Sequence, residues 1–385
     1  MKIILAPDSF KGTFSSREMI GILSRAARRY FPDCEIVEIP IADGGEGTLA
    51  ALLELPGSRE VTVEAYDPMG RPRKSRYGLL AEGTAVVEMA EASGLTLVPP
   101  VERDPLLAST YGTGQIILQA LRDGCRDIVV TLGGSATNDG GIGCMRALGI
   151  RFLDRQGQEL EALPRDLEHI VRIDRSGLEP LAAKARFRIM SDVRNPLLGP
   201  TGATMVFGPQ KGADAQRRQL LETGMSVYAD VLEKTTGRQI RGLPGAGAAG
   251  GLGAALMAFL DTEVCSGIGL MLEISRFADH LQGTDLVITG EGHCDGQSAC
   301  GKVLDGIGRL CRAHDVPAVA LVGGMGADAS DIYARGISAV VPTINDAMPL
   351  EKAMERADEL AGEAADRLFC LLRLGAEIEK KKGSC

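Results

Sequence analysis

Short segments rich in hydrophobic residues recur near both ends of the chain, a pattern typical of buried parallel strands. The segments cover residues 3–6, 35–39, 285–289, 318–322 and 339–342. Helical stretches lie between and after the segments. Five strands joined by helices predict one doubly wound sheet, because parallel strands need long crossover connections.

The middle of the chain has a different pattern. Three short strand-like segments, at residues 61–65, 74–79 and 84–89, are separated by Asp-Pro, Gly and Glu-Gly turns. This pattern predicts a meander of short strands. A helix over residues 109–122 and a buried strand over residues 128–132 follow. Strands of both kinds within one segment predict a separate α/β unit with a mixed sheet.

The predicted fold class is therefore α/β, a flavodoxin-like doubly wound parallel sheet built from both chain ends with an inserted second α/β domain of mixed sheet. Residues 1–60 and 281–375 are expected to form the first domain, residues 61–280 the second, and residues 376–385 a flexible tail. In a flavodoxin-like strand order, the first strand and the strand over residues 285–289 flank the switch point where ligands bind.

Composition and charge exclude several classes of protein. The chain has 385 residues, a formal net charge of −9 and no basic stripe, which disfavours a nucleic-acid partner. None of its nine Cys forms a Cys-x-x-Cys pair, so the thiols are expected to be reduced in a cytoplasmic protein. The chain contains no apolar run of about 18 residues, so no membrane segment is expected. Gly is frequent, at 49 residues, and predicts many tight loops.

The strongest local signal is the segment Thr-Leu-Gly-Gly-Ser-Ala-Thr-Asn-Asp-Gly-Gly at residues 131–141. It follows a buried strand and precedes a helix, so its glycines can present successive N–H groups to an anion. Ser135, Thr137 and Asn138 add neutral donors, and Asp139 could hold a magnesium ion. A tight turn in which Asn138 or Asp139 caps the helix is the alternative interpretation.

Charged residues recur in other polar or glycine-rich loops. Lys11 lies near Asp8 and Ser9 after the first strand, where a lysine suits a phosphate or carboxylate, or solvent alone. Asp43 and Glu46 lie among glycines. They could bind a metal or a hydroxyl group, or they could form a helix cap and a turn.

Two later segments offer an acid and a lysine. Asp192 ends a strand and could accept the proton of a substrate hydroxyl, whereas an Asn195-Pro turn is the structural alternative. Lys211 lies between Gly208 and Gly212, where it could neutralise a transferring phosphoryl group or belong to an exposed turn.

Two motif matches fail on their context. Residues 245–250 match Gly-x-Gly-x-x-Gly, but no buried strand precedes them, so close helix packing or a flexible phosphate-facing loop is favoured over NAD binding. Residues 296–302 have the spacing of a P-loop, but Val303 replaces the required Ser or Thr. Lys302 at the start of a helix could still meet a phosphate.

Several segments together resemble the signatures of one family, the bacterial glycerate kinases. These segments are residues 6–12, 41–48, 133–140, 192–197, 206–212, 245–253 and 288–292. They occur in order from residue 1 to about residue 325, so the resemblance covers nearly the whole chain.

The resemblance implies ATP-dependent phosphorylation of D-glycerate, with magnesium, in the cleft between two domains. It implies 2-phosphoglycerate as the product of in-line phosphoryl transfer, with 3-phosphoglycerate as the alternative product. There are three competing interpretations: a non-catalytic sensor of small acids, an NAD-dependent dehydrogenase and a GHMP-type kinase. The last is considered because residues 132–136 resemble the phosphate loop of GHMP kinases. A monomer and a homodimer both remain open.

The expected site residues follow from these motifs. ATP phosphates are expected to bind Gly133, Gly134, Ser135, Ala136, Thr137 and Asn138. The expected catalytic residues are Asp192, Lys11 and Lys211. D-glycerate is expected to contact Asp8, Ser9, Asp43, Asn195 and Glu291. Magnesium is expected to bind Asp139, Glu46 and Asp295.

Overall fold

The computed structural model describes residues 1–10, 12–296 and 302–382. The chain divides into two compact units. The first unit comprises Met1–Asp43 and Gly267–Cys385, and the second unit is the continuous segment Gly44–Ser266. The second unit is thus inserted between two parts of the first.

The strands are numbered in chain order. They are β1 (Lys2–Pro7), β2 (Glu35–Glu38), β3 (Arg59–Tyr66), β4 (Pro72–Leu79), β5 (Ala85–Glu88), β6 (Asp127–Thr131), β7 (Arg151–Leu153), β8 (Arg172–Asp174), β9 (Arg186–Met190), β10 (Asp261–Cys265), β11 (Leu286–Cys294), β12 (Ala318–Met325) and β13 (Ile337–Pro342).

The α-helices are numbered in the same way. They are α1 (Ser16–Tyr30), α2 (Thr48–Leu53), α3 (Ala90–Ser93), α4 (Tyr111–Arg122), α5 (Ile142–Ala147), α6 (Ala203–Phe207), α7 (Ala215–Thr236), α8 (Leu252–Phe259), α9 (Gly267–Ile274), α10 (Phe277–Leu281), α11 (Val303–Ala313), α12 (Leu350–Glu355) and α13 (Ala357–Lys382). Short 3-10 helices cover Leu95–Leu97, Pro100–Glu102, Pro164–His169, Ala182–Lys184, Pro209–Lys211, Ala248–Gly251 and Ala329–Arg335.

The sheet of the first unit is wholly parallel, in the order β2-β1-β11-β12-β13. Counted within that unit, the order is 2-1-3-4-5, which is the flavodoxin-like order that the sequence predicted. Helices α1 and α13 pack against each other beside this sheet and share its apolar core. Helix α1 begins at the predicted capping box, in which Ser15 and Glu18 each satisfy a backbone N–H of the other.

The sheet of the second unit is mixed, in the order β10-β9-β6-β5-β4-β3. Strands β3, β4 and β5 form the predicted antiparallel meander, and β5, β6, β9 and β10 run parallel. Strand β10 was not predicted, because Asp261 and Glu263 are exposed at the sheet edge and give the segment no apolar run.

The boundaries between the two units lie at residues 43/44 and 266/267, whereas the sequence predicted 60/61 and 280/281. The second unit begins at Gly44 because α2 packs on β4 and β5. It ends at Ser266 because α9 packs on α10 and α11 of the first unit. Neither contact has a signature in the local sequence.

Strand β11 is longer than predicted. Residues 290–294 continue the strand beside β12, whereas the sequence predicted a strand over residues 285–289. A Cβ at Gly290 would lie 2.1 Å from the carbonyl oxygen of Leu321, and one at Gly323 would lie 2.3 Å from that of Gly292. These glycines therefore allow two strands to approach closely rather than form a loop.

The C-terminal helix also differs from its prediction. The helical stretch that follows the last strand is broken at Arg356 into α12 and α13. Helix α13 then continues to Lys382, into the segment that was predicted to be a flexible tail. Arg373 and Glu377, four residues apart on this helix, form an ion pair of 3.8 Å that favours the extra turns. Among the described residues, no helix is both long and apolar enough to cross a membrane.

Candidate active site

Three neighbouring parallel strands of the second unit end at the same level. Thr131 of β6 is in register with Glu88 of β5 on one side and with Met190 of β9 on the other. Their carboxyl ends therefore form one edge, the position where open α/β sheets bind ligands. The glycine-rich loop follows β6, and Asp192 follows β9 two residues later, so this edge brings them together.

The glycine-rich loop is exposed only at its beginning. Gly134 is exposed with a φ of +70°, Gly133 is half-buried and Ser135 is 8% exposed. Thr137 and Asn138 are completely buried. The first half of the predicted phosphate-binding segment is thus accessible to a ligand, and the second half, with Ala136 at 4% exposure, lies beneath it.

Lys211 supports this loop from below. Its Nζ donates hydrogen bonds to the Ser135 hydroxyl at 2.8 Å and to the Thr137 carbonyl oxygen at 2.7 Å. The side chain is 2% exposed, so the exposed-turn interpretation of Lys211 is wrong. Burial lowers the pKa of Lys211 to about 7, although the nearby charge of Asp139 acts in the opposite direction.

Asp139 is a structural carboxylate. It is completely buried, and its oxygens accept hydrogen bonds from the hydroxyl and N–H of Thr110 and from the N–H groups of Gly141 and Gly143. All four donors belong to the protein, and the completely buried carboxylate is not accessible to a cation from solvent. The turn interpretation therefore fits Asp139, and the predicted magnesium role does not fit its surroundings. Burial nevertheless raises the pKa of this carboxyl.

Polar atoms remain unsatisfied beneath the loop. The Asn138 amide nitrogen donates to the Thr204 hydroxyl at 3.0 Å. The Thr137 hydroxyl and the side-chain amide oxygen of Asn138 are buried and have no hydrogen-bond partner among the described residues. Buried polar atoms of this kind are normally bonded, so ordered water or a ligand is expected to complete the loop.

The loop at residues 44–47 crosses the same edge. A Cβ at Gly44 would lie 2.9 Å from the Met190 carbonyl oxygen, and one at Gly133 would lie 2.6 Å from the Gly45 Cα. Glu46 is exposed beside Gly134, and its carboxylate accepts only a long 3.4 Å hydrogen bond from Thr96. The exposed carboxylate is therefore open to a cation or a hydroxyl group.

Glu88 is a site residue that the sequence did not reveal. Its oxygens accept the N–H of Gly47 at 3.2 Å and the N–H of Leu49 at 2.9 Å, and the side chain is 5% exposed. Burial raises the pKa of this carboxyl. A charged residue at the end of the apolar run Ala85-Val86-Val87 was the available signal.

Asp192 is exposed at the edge, whereas Asn195 holds its own loop together. The Asn195 side-chain amide donates to the Thr201 carbonyl oxygen at 2.8 Å, and the Asn195 backbone carbonyl oxygen accepts from the Gly247 N–H at 2.9 Å. The turn interpretation therefore describes Asn195, and its contact with a substrate stays a prediction.

The glycine run at residues 245–251 packs against the loops of the edge. A Cβ at Gly250 would lie 2.1 Å from the Thr137 carbonyl oxygen, and one at Gly247 would lie 2.3 Å from that of Pro196. Close packing, one of the two interpretations favoured over dinucleotide binding, is what these distances show.

The carboxyl edge of the first unit carries the other predicted residues. Asp8 and Ser9 follow β1, and the Asp8 N–H donates to the Gly290 carbonyl oxygen at 2.8 Å, next to Glu291 of β11. Asp8 and Glu291 are 6% and 8% exposed. The expected neighbourhood of the first and third strands is thus present. Asp43 and Asp295 are half-buried.

Part of this edge falls outside the described residues. Lys11 and residues 297–301, which include most of the P-loop-like spacing, belong to that part. Lys302 is the N-cap residue of α11.

A cavity of about 580 Å³ lies at the carboxyl ends of β11, β12 and β13. Its walls are mainly apolar, and they include Phe10, Phe14, Met325, Met348, Met354 and Leu360, with His293 and Thr343 as polar members. Its size is within the range of small-molecule sites, about 300–1,000 Å³.

Comparison with known proteins identifies the family. A sequence model of the glycerate kinase family matches residues 3–373. The glycerate kinase of Bacillus subtilis (strain 168) is 41% identical over 97% of this chain and 98% of its own length. The glycerate 2-kinase of Escherichia coli (strain K12) is 39% identical over 97% and 99%. The crystal structure of glycerate kinase 2 from Salmonella typhimurium LT2 superimposes with a TM-score of 0.87 at 38% identity, covering 98% of this chain and 99% of that one.

The chain belongs to the glycerate kinase family. It is an enzyme of that type, and the resemblance inferred from the sequence is confirmed.

The site can be tested for its fit to the magnesium ion that a kinase uses. Among the described residues, no three His, Cys, Asp or Glu side chains cluster closely enough to hold a metal by themselves. Magnesium in phosphoryl-transfer sites needs only one or two carboxylates, because phosphate oxygens and water complete its shell. The exposed Glu46 fits that need, since its oxygens have only one weak partner.

Proposed function

We propose that this enzyme transfers the γ-phosphoryl group of ATP to D-glycerate and releases 2-phosphoglycerate. Its family membership supports the acceptor. The name of the Escherichia coli relative, glycerate 2-kinase, supports the position of the phosphoryl group.

The observation that carries the proposal is the ammonium group of Lys211 beneath an accessible glycine-rich loop. Phosphoryl transfer needs little covalent help from a protein, but it needs bound phosphates and stabilised charge. Gly133, Gly134 and Ser135 would contact the phosphates, and Lys211 would attract them through the Ser135 hydroxyl. A cation that is already fixed in place loses no conformational entropy when the nucleotide binds.

The remaining roles are assigned by position. Asp192, exposed at the neighbouring strand end, would orient the acceptor hydroxyl and take its proton. Glu46 would hold magnesium together with phosphate oxygens, and the ion would neutralise charge on the transferring group. Asn195, Asp8, Ser9, Asp43, Glu291 and Asp295 are retained as predicted contacts of glycerate or magnesium, and Lys11 as a predicted cation near the phosphoryl group.

The test is ADP release from purified enzyme with ATP, magnesium and D-glycerate, followed by phosphorus NMR of the product. The proposal predicts glycerate-dependent ADP and a phosphate on carbon 2. A phosphate on carbon 3 would keep the kinase and correct its product. Absence of turnover with D-glycerate, L-glycerate and other hydroxy acids would favour the small-acid sensor.

A further inference from the structure

A second cavity, of about 300 Å³, lies in the second unit beside the glycine-rich loop. Its polar lining residues are Glu46, Arg73, Arg76, Glu88, Glu91 and Thr96. Gly134 borders this cavity, because a Cβ there would lie 3.5 Å from the Cβ of Ala90 and 3.9 Å from Glu46, which both line it. The cavity is therefore next to the proposed phosphate contacts.

Arg73 is the unusual member of this lining. It makes no hydrogen bond or ion pair with the residues that the structure describes, and its Nε is buried without a partner. A buried guanidinium N–H is normally satisfied by an acceptor. Arg73 is a half-buried cation in the wall of a cavity, so the missing acceptor is expected to come from a ligand.

Arg76, three residues along the same strand, shows what a satisfied arginine looks like here. Its guanidinium donates to Glu60 at 2.8 Å and to Glu91 at 2.9 Å. The guanidinium of Arg76 is therefore paired within the protein, whereas that of Arg73 has no hydrogen-bond or ion-pair partner among the described residues.

The cavity also contains fixed acceptors. Glu88 is held by two backbone N–H groups, one on each oxygen, and each oxygen can accept a further bond. Among the described residues, Glu46 accepts a single long bond, from Thr96, and its carboxylate is assigned above to magnesium. A ligand that suits this wall must present an anionic group to Arg73 and a hydroxyl donor to Glu88.

We infer that this cavity binds the phosphoryl acceptor, a small hydroxy acid, whose carboxylate pairs with Arg73 and whose non-reacting hydroxyl group donates to Glu88. The inference rests on the proposed function for the presence of such an acid. A guanidinium offers two parallel N–H donors that match a carboxylate. The volume, at the low end of ligand pockets, suits a three-carbon acid better than a whole nucleotide.

The experiment compares steady-state kinetics of Arg73→Met, Arg73→Lys and the control Lys74→Met. Lys74 is exposed on the same strand and is not part of the cavity wall. We expect Arg73→Met to raise KM for D-glycerate by about 10- to 100-fold, the cost of a lost charge-assisted pair, with KM for ATP unchanged. Arg73→Lys should lie between, and Lys74→Met should match wild type.

Chemical rescue separates a binding role from a structural one. Guanidinium ion added to Arg73→Ala should lower KM for D-glycerate again, because it can occupy the vacated position. The variants are expected to fold, since the Arg73 side chain makes no hydrogen bond or ion pair with the described residues. Thermal unfolding checks this expectation. If Arg73→Met or Arg73→Ala does not fold, the Arg73→Lys kinetics decide the question.

The opposite outcomes are distinct. A raised KM for ATP with an unchanged KM for D-glycerate would assign the cavity to a nucleotide phosphate and overturn the inference. Unchanged values for both substrates would also overturn it. Calorimetric titration of wild type and Arg73→Met with D-glycerate separates the two proposals. Arg73-dependent binding of D-glycerate without turnover would support this inference and contradict the proposed function. Turnover that does not depend on Arg73 would support the proposed function and contradict this inference.

Discussion

The carboxyl ends of the parallel strands occupy the same place in the two units, but the surroundings of these ends differ. In the second unit, the edge is a set of tightly bonded polar groups in which even a lysine is buried, as Lys211 shows. In the first unit, the edge borders a mainly apolar cavity with Phe10 and Phe14 in its wall, their ring centroids 6.3 Å apart.

The difference teaches that the sheet provides a position and the loops provide the chemistry. Burying charges such as Lys211 and Asp139 costs stability, so they are retained only where their partners hold them or where function needs them. Both units bury charged residues at these ends, Asp8 and Glu291 in the first and Lys211 and Asp139 in the second, so removal of a buried charge should matter in either unit.

The largest expected effect is that of Asp192→Ala at the polar edge. We expect kcat with D-glycerate to fall about 10³-fold, within the range for loss of a general base. Arg194→Ala, two residues away and also exposed, should leave kcat nearly unchanged. An Asp192→Ala enzyme with normal turnover would remove this residue from the mechanism.

Lys211→Met should separate function from stability. We expect kcat/KM for ATP to fall about 10²-fold, because the fixed charge beneath the phosphates is lost. Since the pKa of Lys211 is about 7 in the folded state and 10.5 is its ordinary value, the unfolded chain holds more protons between these pH values.

The free energy of unfolding of wild type should therefore rise with pH across that window, by up to about 1.4 kcal/mol per pH unit from this group. Lys211→Met should lack this contribution, so the free energy of unfolding of wild type minus that of the variant should rise from pH 7.5 to pH 9.5 in denaturant unfolding. A constant difference would show that Lys211 stays protonated throughout.

Asp139→Asn tests whether the buried carboxylate is structural. The variant places an amide group against four hydrogen-bond donors, and we expect a loss of about 2–4 kcal/mol in the free energy of unfolding. The magnesium concentration for half-maximal activity should stay the same. A shift in magnesium dependence with unchanged stability would restore the metal role.

Gly250→Ala tests the packing beneath the loop. Both Gly250 and Gly237 have a positive φ, but only at Gly250 would a Cβ meet backbone, at 2.1 Å from the Thr137 carbonyl oxygen. Gly237→Ala should cost about 1 kcal/mol for its conformation alone, and Gly250→Ala about twice as much or more. Equal losses of stability would mean that the glycine run is not closely packed.

The smallest effect is expected in the first unit. Ser15→Ala removes the hydroxyl that caps α1 and should cost about 1 kcal/mol of stability. Activity at 25 °C should not change, because the cap lies outside the proposed site.

Much of the fold could be predicted because its signals are local. The apolar runs of β1, β11, β12 and β13 and the Ser15-x-x-Glu18 capping box are read from neighbouring residues. Strand β10 was missed because an edge strand with exposed acids has no apolar run.

The site was predictable as a set of loops, and less so as a set of contacts. The burial of Lys211 could not be predicted from the sequence, because Ser135, which accepts its hydrogen bond, is 76 positions away. Arg73 and Glu88 are ordinary strand residues in sequence, and only the cavity that they share distinguishes them.

The central claim is that the glycine-rich loop above Lys211 receives the phosphates of ATP. Calorimetric titration with ATP and magnesium at pH 8, in buffers of different ionisation enthalpy, tests it directly. A polyanion bound near Lys211 should raise its pKa from about 7, so wild type should take up most of one proton, up to about 0.9, beyond the protons of ATP itself. Lys211→Met should take up none of it. Equal proton uptake by the two proteins would show that the phosphates bind elsewhere.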